Sequence, residues 1–157
     1  MAEHNIQSMQ NAKDAINDAE ADITEYMRVV MNGETFLVPV NSVLSVLRPV
    51  ALTPVPMAPD HLMGVANIRG QVFCIIDPGK TLRLPQKRKE KTSASRLMLL
   101  RHARVHLGIW VEEVLDLYRV KTLEIGAGDS ASRVYELGHV ETPHGLLPVL
   151  RVEALFD

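Results

Sequence analysis

The stretch Phe36-Leu-Val-Pro-Val-Asn-Ser-Val-Leu-Ser-Val-Leu-Arg48 lies without gaps over Leu107-Gly-Ile-Trp-Val-Glu-Glu-Val-Leu-Asp-Leu-Tyr-Arg119, 71 positions further along the chain. Val40, Val43, Leu44 and Arg48 recur as Val111, Val114, Leu115 and Arg119, while the polar pair Asn41-Ser42 becomes Glu112-Glu113. Similarity at a fixed offset marks a duplicated unit. In the second copy Val105, Leu107, Ile109 and Val111 alternate with His106, Gly108, Trp110 and Glu112, the period of two expected of a strand with one apolar face. The duplicated unit is therefore a β unit. Two such units of about 60 residues each are marginal alone, so the halves are expected to pack together, with a binding groove at their seam.

Working outward, Tyr26 to Met31 and Glu34 to Val40 flank Asn32-Gly33, the pair that supplies the positive φ angles of a tight hairpin. Ala58 to Gly64 has proline near a helix start and glycine past its end, which predicts a single helical turn. Gly64 to Ile68 and Gln71 to Asp77 form a second hairpin through Arg69-Gly70, and the run Val72, Phe73, Cys74, Ile75, Ile76 predicts a central strand covered on both faces. Further strands are expected at Val114 to Val120, Arg133 to Val140 and Leu146 to Val149, with a turn near Pro143-His144-Gly145 and a short helix over Val152 to Phe156. Gln86 to Ser93 contains no apolar residue and is a linker or exposed loop. Residues 1–25 carry six acids against Lys13 alone. Met9, Ala12, Ile16, Ala19 and Ile23 follow a helical spacing, which leaves a frayed tail and a docked helix both open. The expected divisions are an acidic tail over 1–25, a first β unit over about 26–84, a linker over 85–94 and a second unit over about 95–157.

The 157 residues, with a net charge of -2, 46% hydrophobic and 23% charged, fit one soluble globular domain or two very small ones. The single cysteine, Cys74, allows neither an intrachain disulfide nor a four-cysteine metal site, which is consistent with a reducing cytoplasm. No apolar run approaches the roughly 18 residues of a membrane span, and the first residues lack the pattern of a secretory signal. Near-neutral charge and few aromatics argue against a nucleic-acid surface.

Few residues fall in patterns that carry reactive chemistry. Pro78-Gly79-Lys80-Thr81 ends like a phosphate loop, but the first glycine of such a loop falls at Cys74 and Pro85 stops a following helix. His102 and His106 flank a hairpin tip; His61, His139 and His144 sit in turns without ligands at metal spacing. Cys74 lies in the most apolar strand and is expected to be a buried thiol, and Glu112 and Glu113 are expected to be solvated on opposite sides of a strand. Lys87, Arg88, Lys89 and Lys91 could contact nucleic acid, an alternative left open as a small β-barrel nucleic-acid-binding module. No nucleophile, base and orienting group converge, so neither an enzyme, a cofactor nor a metal is expected.

The segment Gly64-Val-Ala-Asn-Ile-Arg-Gly-Gln-Val-Phe-Cys-Ile-Ile-Asp77 resembles the signature of the CheW family, scaffolds that couple chemoreceptors to a CheA-type histidine kinase. The preceding hairpin, Pro54, Pro56, Pro59 and the run Gly108-Ile-Trp-Val-Glu-Glu-Val114 follow in the family's order, so the resemblance covers about residues 26–156. Gly64-Val-Ala-Asn is also similar to the versions of type IV pilus (twitching) systems, which leaves that output open. The resemblance implies two packed SH3-like five-stranded β-barrels and a non-catalytic cytoplasmic adaptor recruited to receptor arrays. One barrel edge would bind the regulatory domain of the kinase, and the inter-barrel groove would take the cytoplasmic tip of a methyl-accepting chemoreceptor. The family's coupling arginine falls on Arg69, a planar five-donor group suited to backbone carbonyls and carboxylates of a receptor helix. Asn67 and Gly70 would shape its turn, and Val43, Ser45, Val46, Val65, Val111 and Val114 complete the expected groove. Three departures stand out: Ser45 replaces a common glutamate partner of the arginine, Cys74 a common proline, and Glu112 an aspartate.

Overall fold

The computed structural model describes residues 23–85, 91–121, 126–127 and 135–156. The chain forms β1 (Ile23–Met31), β2 (Glu34–Pro39), a 3-10 turn (Val40–Ser42), β3 (Val43–Leu47), β4 (Leu62–Ile68), β5 (Gln71–Ile76) and a one-turn helix α1 (Pro78–Thr81). There follow β6 (Arg96–Leu100), β7 (Leu107–Val111), β8 (Glu113–Lys121), β9 (Gly126–Ala127), β10 (Glu136–Thr142), β11 (Gly145–Leu150) and a 3-10 turn (Val152–Leu155). The expected hairpins are present. Asn32 and Gly33 take φ of 55° and 78° between β1 and β2, and Arg69 and Gly70 take 53° and 83° between β4 and β5. Paired positive φ angles match the right-handed twist of the strands they join.

The strands sort into two sheets, ordered β8-β1-β2-β11-β10-β9 and β3-β6-β7-β5-β4. Substituting β6, β7, β8, β10 and β11 for β1 to β5, and the reverse, converts the core order of one sheet into that of the other. The duplication is therefore structural, down to the parallel pairs β2 with β11 and β5 with β7. Even β9 beside β10 has a counterpart, the bridge that Thr53 makes to Val65 on β4. Both repeated stretches are strand, corner, strand, and each corner carries the chain from one sheet into the other. The first hairpin of each half thus completes the sheet of the other half, so the units do not divide at residues 85–94 as expected from the sequence. The two five-stranded units are present, but their ladders are open: β3 and β4 remain the edges of the smaller sheet, and β8 and β9 those of the larger.

Three apolar clusters hold this arrangement. The largest lies between the sheets and draws Val29, Met31, Phe36 and Val38 from the larger sheet against Val43, Ile76, Met98, Leu100, Ile109 and Val111 of the smaller. Each sheet also keeps its own cluster, Tyr26, Leu37, Val120, Val140 and Val149 in one and Ala66, Phe73, Ile75, Leu97 and Leu99 in the other. The exchange of hairpins makes the central cluster common to both halves, so neither half can bury its apolar surface alone.

Several expectations are corrected. Ile23 to Glu25 belong to β1 and pair with Lys121 to Arg119 of β8, so the tail ends before Ile23; its earlier residues lie outside the described ones. Residues 58–61 make a turn, with Leu62 N–H donating to Pro59 O at 3.0 Å, and Leu62 already belongs to β4. The strand β5 is covered on both faces only from Phe73 onward, while Val72 is 57% exposed and Cys74 half-buried. Pro78 to Thr81 are a strand-end turn of helix capped by Asp77, whose side chain accepts from Gly79 N–H at 3.0 Å. Glu112 is buried, because the corner between β7 and β8 turns it toward the β1–β2 turn, where its carboxylate accepts from Gly33 N–H at 3.1 and 3.2 Å. Of the expected strand at residues 133–140, Arg133 and Val134 lie outside the described residues, as do most of the basic linker and residues 122–125 and 128–132.

Candidate partner-binding site

The edges of the smaller sheet, β3 and β4, border one concavity. A groove of about 310 Å³ is lined by Leu44, Ser45, Val46 and Leu47 of β3, Ile68, Arg69 and Gln71 of the β4–β5 hairpin, and Phe73 and Leu99. Phe73 and Leu99, both members of the inner cluster of this sheet, supply an apolar floor; Leu44, 47% exposed, and Arg69 stand in solvent at the rim.

The hairpin holds Arg69 by backbone geometry. A non-glycine residue at φ 53° persists where its surroundings fix it, and here Asn67 Oδ1 accepts from Gly70 N–H at 3.0 Å across the turn. A Cβ added to Gly70 would meet nothing within 4 Å, so glycine is needed there for its φ and not for space. Among the described residues the Arg69 guanidinium has neither an ion-pair nor a hydrogen-bond partner, and Ser45, which lines the same groove, offers it no carboxylate. An exposed, unpaired guanidinium beside an apolar floor retains all five donors for an incoming backbone carbonyl or carboxylate.

Of the residues expected from the sequence, the groove gathers Arg69, Ser45 and Val46, with Asn67 and Gly70 building its hairpin. It does not gather the others. Val43 and Val111 are buried at 8% and 0% in the central cluster, because the seam between the sheets is packed there instead of open. Val114 packs half-buried against the same cluster, and Val65 is engaged through its backbone with Thr53 on the far side of β4. Sequence reasoning missed Leu44, Leu47, Ile68, Gln71, Phe73 and Leu99. Leu44 carried a signal, since it and Leu115 are repeated leucines that both lie exposed, at 47% and 37%.

The remaining chemistry is structural. His102 Nδ1 accepts from Arg104 and Val105 N–H at 3.0 Å, and its ring stacks on Phe156 with centroids 4.5 Å apart. His106 stacks on Phe73 at 5.0 Å. Among the described residues no group of three or more His, Cys, Asp or Glu gathers in a way that could hold a metal ion. A second concavity of about 530 Å³ is lined by His61, Lys80, Thr81 and Arg83 with Ile76, Leu107 and Phe156, and among these described residues no nucleophile and base are paired. No described helix is long and apolar enough to cross a membrane.

Two exchanged β units with an exposed apolar groove define a protein-binding module. Comparison with known proteins places it: residues 25–157 match the family model of the CheW-like domain, and the chain belongs to that family. It is similar to the chemotaxis protein CheW of Helicobacter pylori, 24% identical over 139 residues that make up 85% of this chain and 82% of that one. It is also similar to the chemotaxis protein CheW of Bacillus subtilis, 33% identical over 108 residues, 68% of each chain. Its fold matches the crystal structure of the scaffolding protein TtCheW from Thermoanaerobacter tengcongensis, with a TM-score of 0.77, 18% identity and coverage of 85% of this chain and 88% of that one. Proteins of this family are non-catalytic scaffolds of chemotaxis, and the chain is accordingly a scaffold and not an enzyme.

Proposed function

We propose that the chain couples the cytoplasmic tip of a methyl-accepting chemoreceptor to the regulatory domain of a CheA-type histidine kinase, and that the groove under Arg69 receives the receptor helix. The observation that carries this reading is the guanidinium of Arg69, unpaired among the described residues and held at a hairpin tip beside Phe73 and Leu99. A receptor helix laid across the groove would bury apolar side chains on that floor and present carbonyls or carboxylates to the arginine. Leu44, Ser45 and Val46 line the opposite wall. Kinase docking is assigned to another barrel edge, which leaves both partners bound at once and recruits the chain to receptor arrays in the cytoplasm. Whether the pathway drives flagella or type IV pili depends on the receptor and not on the groove. Nucleic-acid binding is not retained: of the four cations that motivated it, Lys87, Arg88 and Lys89 lie outside the described residues and Lys91 stands exposed at their border, and family membership supports protein partners.

Co-sedimentation with receptor and kinase tests the assignment. Arg69→Glu leaves the fold intact and weakens receptor binding by about 2–5 kcal/mol, because a desolvated charge is reversed against its acceptor. Undiminished co-sedimentation of Arg69→Glu removes the groove from the interface.

A further inference from the structure

Two concavities share Phe156 as a wall. The larger, of about 530 Å³, sets Val105, Leu107 and Phe156 beside Lys80 and Arg83, and the smaller, of about 250 Å³, adds Ser42, Arg101 and His102. Together they form a trough that is both apolar and basic. Val105 is 43% exposed and Phe156 half-buried, so the apolar part is open to an occupant. Arg83 takes φ 55° just past α1, at a place ordinarily filled by glycine. Backbone bonds hold it there: its own N–H donates to Lys80 O at 3.2 Å, and Leu84 N–H donates to Gly79 O at 2.8 Å. The side chains of Arg83, Arg101 and Arg104 are exposed and have no partner among the described residues. Of the nearby carboxylates, Asp60 is paired with Lys80 at 3.3 Å and Asp77 accepts from Gly79 N–H, which leaves Glu153 alone to oppose the three arginines.

The chain carries a segment of matching chemistry. Residues 1–22, outside the described residues, hold Glu3, Asp14, Asp18, Glu20 and Asp22 against Lys13, with the apolar Met9, Ala12, Ile16 and Ala19 among them. This segment enters β1 at Ile23, three residues before Tyr26, which pairs with Pro39. The turn Val40–Ser42 follows at once and packs against β1, and Ser42 lines the smaller concavity. The point of attachment is therefore at one end of the trough. A segment of that length spans roughly 33 Å as a helix and roughly 70 Å extended, enough to pass Phe156 and arrive at Lys80 and Arg83.

We propose that residues 1–22 dock in this trough of their own chain, with apolar side chains against Val105 and Phe156 and carboxylates toward Lys80, Arg83 and Arg101. Tethering gives the segment an effective concentration on the order of millimolar, so an acidic peptide of another protein enters the trough only by displacing it. The Arg69 groove takes no part, and the receptor assignment stands or falls separately.

Paramagnetic relaxation in the isotope-labelled full chain tests the proposal. The chain carries Cys74→Ala and Ala12→Cys with a nitroxide on the introduced thiol, and circular dichroism confirms that each variant folds. The expected result is broadening of the amides of Lys80, Arg83, Val105 and Phe156. It weakens as salt rises from about 0.05 to about 0.5 M, because the charges are screened. It also falls roughly threefold or more on adding Lys80→Glu with Arg83→Glu, or Asp14→Asn with Asp18→Asn. Arg69→Glu leaves it unchanged. Absence of broadening at the trough overturns the proposal, as does broadening centred on the Arg69 hairpin or indifferent to both pairs of charge variants. Broadening that appears only between a spin-labelled copy and a separate isotope-labelled copy also overturns it, since the segment then occupies a second molecule.

Discussion

Replacing Gly64 with alanine tests how the edge of the smaller sheet is held. Gly64 adopts φ +151°, and a Cβ built there would lie 2.8 Å from the carbonyl oxygen of Thr53 and 3.1 Å from Leu52 Cβ. The contacted oxygen is backbone, and it cannot swing aside freely, because Thr53 and Val65 exchange two hydrogen bonds of 2.8 and 2.9 Å. Holding a side-chain residue in that conformation costs about 1–3 kcal/mol. Losing two backbone bonds at a partly exposed edge adds about 1–2 kcal/mol. The expected loss is therefore about 2–5 kcal/mol, a large share of the stability of an ordinary domain. Urea unfolding of the full chain measures it, with Gly70→Ala as the counterpart. That substitution meets open space and carries only the strain of its φ of 83°, so its cost is about 1–2 kcal/mol. The midpoint should fall further for Gly64→Ala than for Gly70→Ala with unchanged slope. Equal losses in the two variants, or a loss below about 0.5 kcal/mol at Gly64, would refute the reasoning from close approach.

Glu112→Ala should destabilise the chain by about 1–3 kcal/mol in the same titration, because the β1–β2 turn loses a charged acceptor, and Glu112→Gln by less; no loss in the alanine variant contradicts a clamping role. The Arg28 guanidinium, bonded to Asp116 through Nε and Nη2 at 2.9 and 2.8 Å, holds that carboxyl below the ordinary aspartate range. A depressed folded value places the pair's contribution above the unfolded value of about 4 and removes it as pH falls through the folded one. Asp116 is half exposed, so the contribution stays below about 1 kcal/mol. Unfolding free energies of the unmodified chain and Asp116→Asn should thus converge on acidification, and a gap that widens as pH falls would reverse the sign. Leu44→Ala should leave stability within about 0.5 kcal/mol, since the side chain is 47% exposed, yet weaken receptor binding measured by calorimetry; unaltered binding would remove it from the rim.

Local grammar carried most of the fold. The Asn32-Gly33 and Arg69-Gly70 turns and the alternation from Leu107 to Val111 each act within a few residues, and each is where the sequence places it. The exchange of hairpins between halves is different in kind. It is set by the parallel pairs β2 with β11 and β5 with β7, whose partners are far apart in the chain and leave no local pattern. Glu112 looked solvated because a strand period assigned it to a face, whereas a sheet-to-sheet corner breaks that period and turns the side chain inward. The same limit divided the site. Arg69, Asn67 and Gly70 were legible from turn chemistry and family resemblance, but valines read alike whether they line a groove or fill a core. Val46 lines the groove; Val43 and Val111 pack between the sheets.

The most direct measurement is a map of amide chemical-shift changes in the isotope-labelled full chain as a purified receptor cytoplasmic fragment is added. Changes centred on Leu44 to Leu47 and Ile68 to Gln71, strongest at Arg69 and Gly70, are the expected result. Changes centred instead on the concavity between Lys80 and Phe156, with the Arg69 hairpin silent, would contradict the assignment of the receptor to this groove.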